Sequence, residues 1–256
     1  MSARVGIAGC CGRMGQAIGR LASQESDLSV SAAVEAHGHA DVGRDYGDVL
    51  GIGRLLGVTV TEDAAGALRG CDVLIEFTNP LTTLEHAALA ARAGVPLVIG
   101  TTGLAQPQVE ALRAAAKTVP IVCSPNMSPG VNLLFELAKT AAARLGAGFD
   151  VEIVEAHHRH KQDAPSGTAK RLAEVVAAAR GVRPDAVPVH ALRAGAIVGD
   201  HTVVLAGPFE RVELTHRAQG REVFARGALL AARFVLGRAP RMYDMADVLM
   251  GEGPPA

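Results

Sequence analysis

Hydrophobic patterning changes character near the middle of the chain. In the first half, short apolar runs alternate with longer segments of helical spacing. "RVGIAG" (Arg4–Gly9), "LSVSAAVE", "DVLIEF" (72–77), "VPLVIG" (95–100) and "PIVCS" (120–124) are apolar almost throughout, as strands covered on both faces are. Between them, "MGQAIGRLASQ" sets Met14, Ile18 and Leu21 on one helical face, and "PLTTLEHAALAARAG" and "AQPQVEALRAAAK" read as further helices. This alternation predicts an α/β fold, a Rossmann-type doubly wound parallel sheet with right-handed crossovers.

The second half reads differently. "SPGVNLLFELAKTAAARLG" predicts an amphipathic helix from about Asn132 to Leu145. "DVEIVEAHHRH" alternates, so it is read as a strand with Val151, Ile153 and Ala156 on one face and Glu152 and Glu155 on the other. "SGTAKRLAEVVAAAR" is a helix with Ser166 placed to cap it. "HALRAGAIVGDHTVVLAG", "ERVELTHRAQ" and "EVFARGALLAARFVLG" add strands and one more helix. The result is a C-terminal α+β domain with a mostly antiparallel sheet, one face of which is open to oligomerisation. "RAPRMYDMADVLMG" reads as a helical tail that could return to either domain. The expected domains are 1–127 for dinucleotide binding, joined by the tail 237–256, and 128–236 for substrate binding and oligomerisation.

Composition narrows the partners. The 256 residues suffice for one large domain or two modest ones. They are 49% hydrophobic but only 3% aromatic, with no Trp, so Ala, Val, Leu and Ile must supply the core. A formal net charge of −1 gives no basic field for nucleic acid or an anionic membrane. The late apolar stretch "GALLAARFVLG" is short and broken by Arg233, so no membrane span is expected. Cys10, Cys11, Cys71 and Cys123 form no CxxC pair, and the adjacent pair suits a structural bridge poorly. With "MSARVGIAG" running straight into a strand, a cytoplasmic protein acting on a small molecule is expected.

Two segments carry chemistry. "GCCGRMG" places glycines at 9, 12 and 15 between a strand and a helix. Such glycines permit a tight turn, close approach of a pyrophosphate and close helix packing, with the helix N-terminus facing the phosphates. The spacing is GxxGxxG rather than GxGxxG, and a plain tight turn is the alternative. Glu35 closes the second strand, where the dinucleotide fingerprint wants an acid for the ribose hydroxyls; a surface Glu at a strand end is the bland reading. Loops 77–80, 100–103 and 124–130 follow strands and should line the same rim.

The other segment is "EAHHRHKQDAPSGTA", with His157, His158, Arg159, His160 and Lys161 just before a capped helix. The N–H groups of Gly167 and Thr168 at the helix start and the helix macrodipole suit a carboxylate, and Lys161 adds a positive charge and a proton. That suits an anionic substrate whose reacting centre needs protonation. Three alternatives compete. Zn²⁺ on His157, His158 and His160 is disfavoured by strand alternation and by the lack of a nearby Cys or HxxxH. A nucleic-acid patch conflicts with Glu152, Glu155 and Asp163 and lacks aromatic platforms. A solvated basic loop with no chemistry is the default.

Taken together, "GCCGRMG", "GTTG", "SPNMSPGVN" and above all "EAHHRHKQDAPSGTA" resemble the 4-hydroxy-tetrahydrodipicolinate (dihydrodipicolinate) reductase family of bacterial lysine and diaminopimelate synthesis. "RAGAIVGDHTVVLAG", "ERVELTHRA" and "YDMADVL" extend the resemblance over nearly the whole chain. The resemblance implies hydride transfer from NADH or NADPH to hydroxy-tetrahydrodipicolinate with loss of water. It implies His157 as proton donor/acceptor and Lys161 as proton donor, with His158, Lys161, Ser166, Gly167 and Thr168 on the substrate's carboxylates. Gly9, Cys10, Cys11, Gly12, Arg13, Met14 and Glu35 would touch the cofactor at the first two strands. Gly100, Thr101, Thr102, Ser124, Pro125, Asn126 and Met127 would lie near the nicotinamide. No metal is implied, and members are typically homotetramers joined through the second domain's sheet.

Two departures stand out. Ala36 follows Glu35 where some members carry an Arg for the NADPH 2′-phosphate, so NADH should be favoured, although His37, His39 and Arg13 could partly substitute. "VVAAARGVRPDAVPVHALRAG" looks shorter than in many relatives, lacking a loop near residues 180–190. The competing functions are a related NAD(P)-dependent dehydrogenase acting on another imine or semialdehyde, and a non-catalytic dinucleotide-binding sensor. The joint presence of His157, Lys161 and "PSGT" argues against the sensor.

Overall fold

The apolar runs of the first half become strands whose two faces are both buried. The computed structural model describes residues 2–251 and divides into two compact units. One unit runs to Met127 and resumes at Phe224; the other is Ser128–Val223. In chain order the elements are β1 (Ala3–Ala8), α1 (Arg13–Ala22), β2 (Leu28–Val34), α2 (Tyr46–Leu50), β3 (Val60–Thr61), α3 (Ala64–Leu68), β4 (Val73–Glu76), α4 (Pro80–Ala93), β5 (Leu97–Ile99), α5 (Gln106–Ala115) and β6 (Ile121–Cys123). There follow α6 (Pro129–Leu145), β7 (Asp150–His157), α7 (Gly167–Arg180), β8 (Val189–Arg193), β9 (Gly199–Ala206), β10 (Arg211–Ala218), α8 (Glu222–Val235), β11 (Met242–Tyr243) and α9 (Met245–Met250).

The first unit is a parallel sheet in the order β11-β6-β5-β4-β1-β2-β3. Val5, Ile7, Val73, Ile75, Val98 and Val122 pack in one core with Ile18 of α1 and Leu229 and Val235 of α8. Leu74, Leu97, Ile99 and Ile121 pack in the other with Leu68, Ala90 and Leu112 of α3, α4 and α5. Helices on both faces explain why these strands are apolar throughout rather than alternating. Strand order reverses at β1, which pairs with β2 on one side and β4 on the other. Ligands of doubly wound sheets bind at such a switch point, beyond the carboxyl ends of the strands.

Two features of this unit differ from the sequence pattern. The tail expected to be wholly helical begins with β11, which pairs parallel with β6 before α9 starts. A two-residue strand has no periodicity of its own; only its neighbour in the sheet creates it. The chain also re-enters the first unit at Phe224 rather than after Gly237, because Ala225, Ala228, Leu229, Ala232 and Val235 of α8 belong to the first unit's core. Met1 and residues 252–256 of the expected first domain lie outside the described residues.

The second unit holds the sheet β10-β9-β7-β8, antiparallel except for the parallel pair β7/β8. Helices α6 and α7 cover one face, bringing Leu134, Ala138, Leu172 and Val176 onto Val151, Ile153, Val203 and Leu205. Helix α6 starts at Pro129, earlier than the expected Asn132, because the Ser128 hydroxyl accepts from Val131 N (3.3 Å) and Pro129 suits the first helical position. Cross-strand pairing puts Val154, Ala156, Leu192 and Val204 on the other face, where none is buried. Alternation along β7 buries Val151, Ile153, Glu155 and His157 together. Glu155, expected on the outer face with Glu152, is therefore inside: period two overrides the preference of a charge for solvent.

Candidate active site

In the first unit the glycine turn is sterically compelled. Gly9 adopts φ +71°, and a Cβ there or at Gly15 would overlap backbone of Phe77 or of the turn itself. The turn delivers the N-terminus of α1, capped by Gly12 without any side-chain hydrogen bond, so its first N–H groups keep no local side-chain acceptor. Beside it, the Glu35 carboxylate accepts from Cys11 N (2.8 Å) and Ala36 N (2.9 Å).

Two cavities flank this turn. One, of about 470 Å³, is lined by Gly12, Arg13, Met14, Gly100, Thr101, Thr102, Pro125, Asn126 and Met127, together with Phe77, Thr78 and Phe224. The other, of about 520 Å³, is lined by Gly9, Gly12 and Glu35 with Ala36, His37, Glu62, Asn79, Thr82, Glu85 and His86 among others. Cys10, Cys11 and Ser124, the remaining cofactor candidates, line neither. Cys10 is buried in the core, and the Ser124 hydroxyl donates to Asn126 O (2.9 Å), shaping the loop. Phe224 escaped the sequence pattern because it reaches the cavity from the far end of the chain; Phe77 and Thr78 stood within the expected rim loop.

A buried acid braces the rim. Glu76, at the end of β4, has no solvent exposure. His86 Nδ1 lies 2.6 Å from its Oε2, and the Thr78 hydroxyl donates to its Oε1. Thr83 Oγ1 donates to Thr101 Oγ1 (2.8 Å), which in turn accepts from Thr78 N (3.2 Å). A buried carboxylate needs such partners. This set ties the loops after β4 and β5 together where Thr78 and Thr101 enter the first cavity wall.

In the second unit, His157 ends β7 and is buried. Its Nδ1 pairs with Glu155 Oε2. Arg193 grips the same carboxylate through Nη1 to Oε2 (2.9 Å) and Nη2 to Oε1 (2.8 Å), and Ser166 N donates to Oε1 (3.0 Å). Burial works to raise the Glu155 pKa, but Arg193, His157 and the Ser166 N–H together outweigh it and hold the carboxyl below its ordinary value. Glu155 is thus an anion that fixes both the His157 ring and the entry to α7. Arg193 Nη2 also donates to Asp163 O (2.6 Å), anchoring the turn that carries Lys161.

Ser166 caps α7, its hydroxyl accepting from Ala169 N (3.2 Å) and lying 3.2 Å from His201 Nε2. Gly167 and Thr168 open the helix behind it. The His201 ring meets His157 edge to face at 5.2 Å, and its buried Nδ1 has no hydrogen-bond partner. Burial, helped by the neighbouring His157, lowers its pKa to about 4, so it is neutral at pH 7. Gly199 leaves His157 Nε2 its space: a Cβ there would come within 3.1 Å of that nitrogen. Lys161 Nζ pairs with Asp163 Oδ1 (2.7 Å), while its N–H closes a turn onto His158 O (3.1 Å). His158 is half-buried just past the strand, and His160 is exposed.

The structure therefore groups His157 and Ser166 around Glu155, with Lys161 and His158 on the turn between them. No local pattern marks Arg193 or His201 in the sequence, and period-two alternation from Ile153 is the available signal for Glu155. Among the described residues, His157, His158 and His160 form no group at metal-ligand spacing. No helix there is long and apolar enough to cross a membrane.

The family model described as dihydrodipicolinate reductase, N-terminus, matches residues 3–127, and that described as dihydrodipicolinate reductase, C-terminus, matches 130–249. The chain is 49% identical to a 4-hydroxy-tetrahydrodipicolinate reductase of Anaeromyxobacter dehalogenans, covering 96% of this chain and 97% of that one. It is 48% identical to the enzyme of the same name from Thiobacillus denitrificans, covering 97% and 99%. Among solved structures, a dipicolinate-bound dihydrodipicolinate reductase from a Paenisporosarcina species superposes with TM-score 0.81 at 26% identity, covering 95% of this chain and 98% of that one.

Proposed function

The chain belongs to the dihydrodipicolinate reductase family and catalyses the NAD(P)H-dependent reduction of 4-hydroxy-tetrahydrodipicolinate to tetrahydrodipicolinate with loss of water, in lysine and diaminopimelate biosynthesis; from that premise we propose how its residues divide the work. The observation that carries the assignment is the Glu155-held His157 beside the capped start of α7.

NAD(P)H supplies the hydride. The glycine turn and the α1 N-terminus hold its pyrophosphate, and Glu35 takes the adenosine ribose hydroxyls. Arg13, Met14, Gly100, Thr101, Thr102, Pro125, Asn126 and Met127 flank the nicotinamide end, which the first cavity supports. On the substrate side, Ser166, Gly167 and Thr168 bind a carboxylate at the helix start, with His158 and Lys161 adding polar and cationic contacts. A relative solved with dipicolinate, itself a dicarboxylate, supports an anion site of this kind. His157 exchanges a proton through Nε2 while Glu155 holds Nδ1, and Lys161 donates the second proton.

NADH is the preferred cofactor. Glu35, Glu62 and Glu85 all line the second cavity, and His37 Nδ1 is already 2.8 Å from Glu62. A 2′-phosphate there would meet carboxylates, and among the described residues no arginine lines that cavity. Four copies assemble in the cytoplasm through the outward sheet face that carries Val154, Leu192 and Val204.

The test is oxidation of NADH by the purified protein, with substrate made in situ from pyruvate and aspartate semialdehyde by the preceding synthase. Synthase-dependent loss of NADH absorbance is the expected result. A folded, cofactor-binding protein that oxidises neither NADH nor NADPH would sink the assignment.

A further inference from the structure

The glycine turn carries two adjacent thiols that line neither cavity. Cys10 Sγ and Cys11 Sγ lie 3.7 Å apart. Two thiolates on one tetrahedral zinc, at the usual Zn–S length of about 2.3 Å, are about 3.8 Å apart. The sulfur spacing of a two-thiolate chelate is thus present before any ion arrives. A Glu35 carboxylate oxygen lies within 4.8 Å of both sulfurs, and Cys11 Sγ has the same closeness to a His39 ring nitrogen and an Asp41 oxygen. Cys11, Glu35 and Asp41 are half-buried and His39 is exposed, so an ion can enter from the Cys11 side while Cys10 stays in the core. Of the other two cysteines, Cys71 Sγ donates to Ala67 O (3.2 Å), and neither it nor Cys123 joins such a group among the described residues.

We infer that Cys10, Cys11 and Glu35 form a site for one thiophilic d¹⁰ cation of the zinc class, whose binding excludes the cofactor's ribose from Glu35. Thiolate ligands select such ions over magnesium and calcium. The ion displaces the thiol protons to solvent and takes up the carboxylate, leaving one position for water or for a donor from the His39–Asp41 side. Because Glu35 lines the second cavity, metal and ribose compete for one carboxylate. This exclusion rests on the proposed role of Glu35 toward the cofactor; the metal site itself does not.

The experiment is a Cd²⁺ titration of the full-length, reduced protein after removal of reductant, followed by the ultraviolet cadmium–thiolate band. One equivalent should generate the band, Cys10→Ser and Cys11→Ser should each abolish it, and Glu35→Gln should weaken binding on the order of tenfold. If a serine variant does not fold, alkylation mapping of the unmodified protein replaces it: Cd²⁺ should protect Cys11 and leave Cys123 labelling unchanged. A band that survives in both variants, or no protection of Cys11, overturns the site. NADH affinity should fall at least tenfold in cadmium-loaded protein. Equal NADH affinity with and without cadmium overturns the exclusion. Failure of NADH to bind the metal-free protein overturns it through the cofactor reading and leaves the metal site standing.

Discussion

Glu155 and His157 stand two residues apart on the buried face of β7, the carboxylate of one paired with Nδ1 of the other. A ring that donates Nδ1–H to an anion leaves Nε2 as the nitrogen that takes and gives a proton. Glu155→Gln should keep the shape, loosen the tautomer and lower kcat on the order of 10²-fold. It also leaves Arg193 without its anion, which should lower unfolding stability. Steady-state kinetics and denaturant melts check both, with NADH affinity as the control expected to stay put. Unchanged kcat would show that the pairing has no part in proton transfer.

The two residues proposed to transfer protons should separate from cofactor binding. Lys161→Ala and His157→Gln are each expected to lose on the order of 10²–10⁴ in turnover. NADH titration of the two variants should give the same affinity as the unsubstituted protein. Near-normal turnover in both would remove them from the mechanism.

Glu76 predicts the opposite split. Its bonds to His86 and Thr78 hold the loops that place Thr78 and Thr101 in the first cavity wall. Glu76→Gln should raise KM for NADH on the order of tenfold while KM for the dicarboxylate changes little. Glu76→Asp, which keeps the charge but shortens the reach, should recover part of the loss. A variant that melts earlier with both KM values unchanged would make the network purely structural.

Cofactor choice is open to direct comparison. With three carboxylates on the second cavity, kcat/KM for NADH should exceed that for NADPH, and Ala36→Arg should narrow the gap. A strong NADPH preference in the unsubstituted protein would refute the assignment.

His201 gives the protein a pH signature. Its folded pKa of about 4 is depressed by burial and by His157, with Glu155 opposing and His216 and Lys161 adding to the depression. The unfolded chain, with histidine at its ordinary 6.5, binds the proton first, so stability is full above 6.5 and falls as pH drops toward 4. The loss amounts to about 3 kcal/mol. His201→Gln should flatten that limb of the denaturant midpoint against pH; an unchanged limb would place the sensitivity elsewhere.

Sequence alone determined what local patterning can encode. Strands apolar on both sides required helices on both faces, so the parallel sheet was legible from runs such as "VPLVIG", and the capped start of α7 followed from "PSGT". Tertiary structure decided the rest. The segments between β2 and β4 carry no readable period, because α2, β3 and α3 are two to five residues long and are fixed by neighbours. Helix α8 is amphipathic in any context, and only its packing shows that it belongs to the first unit. Glu155 reads as a surface charge because two of its three partners, Arg193 and the Ser166 N–H, lie 38 and 11 residues away. A buried charge becomes tolerable only when such distant groups converge on it, and their convergence is a property of the fold rather than of any window of sequence.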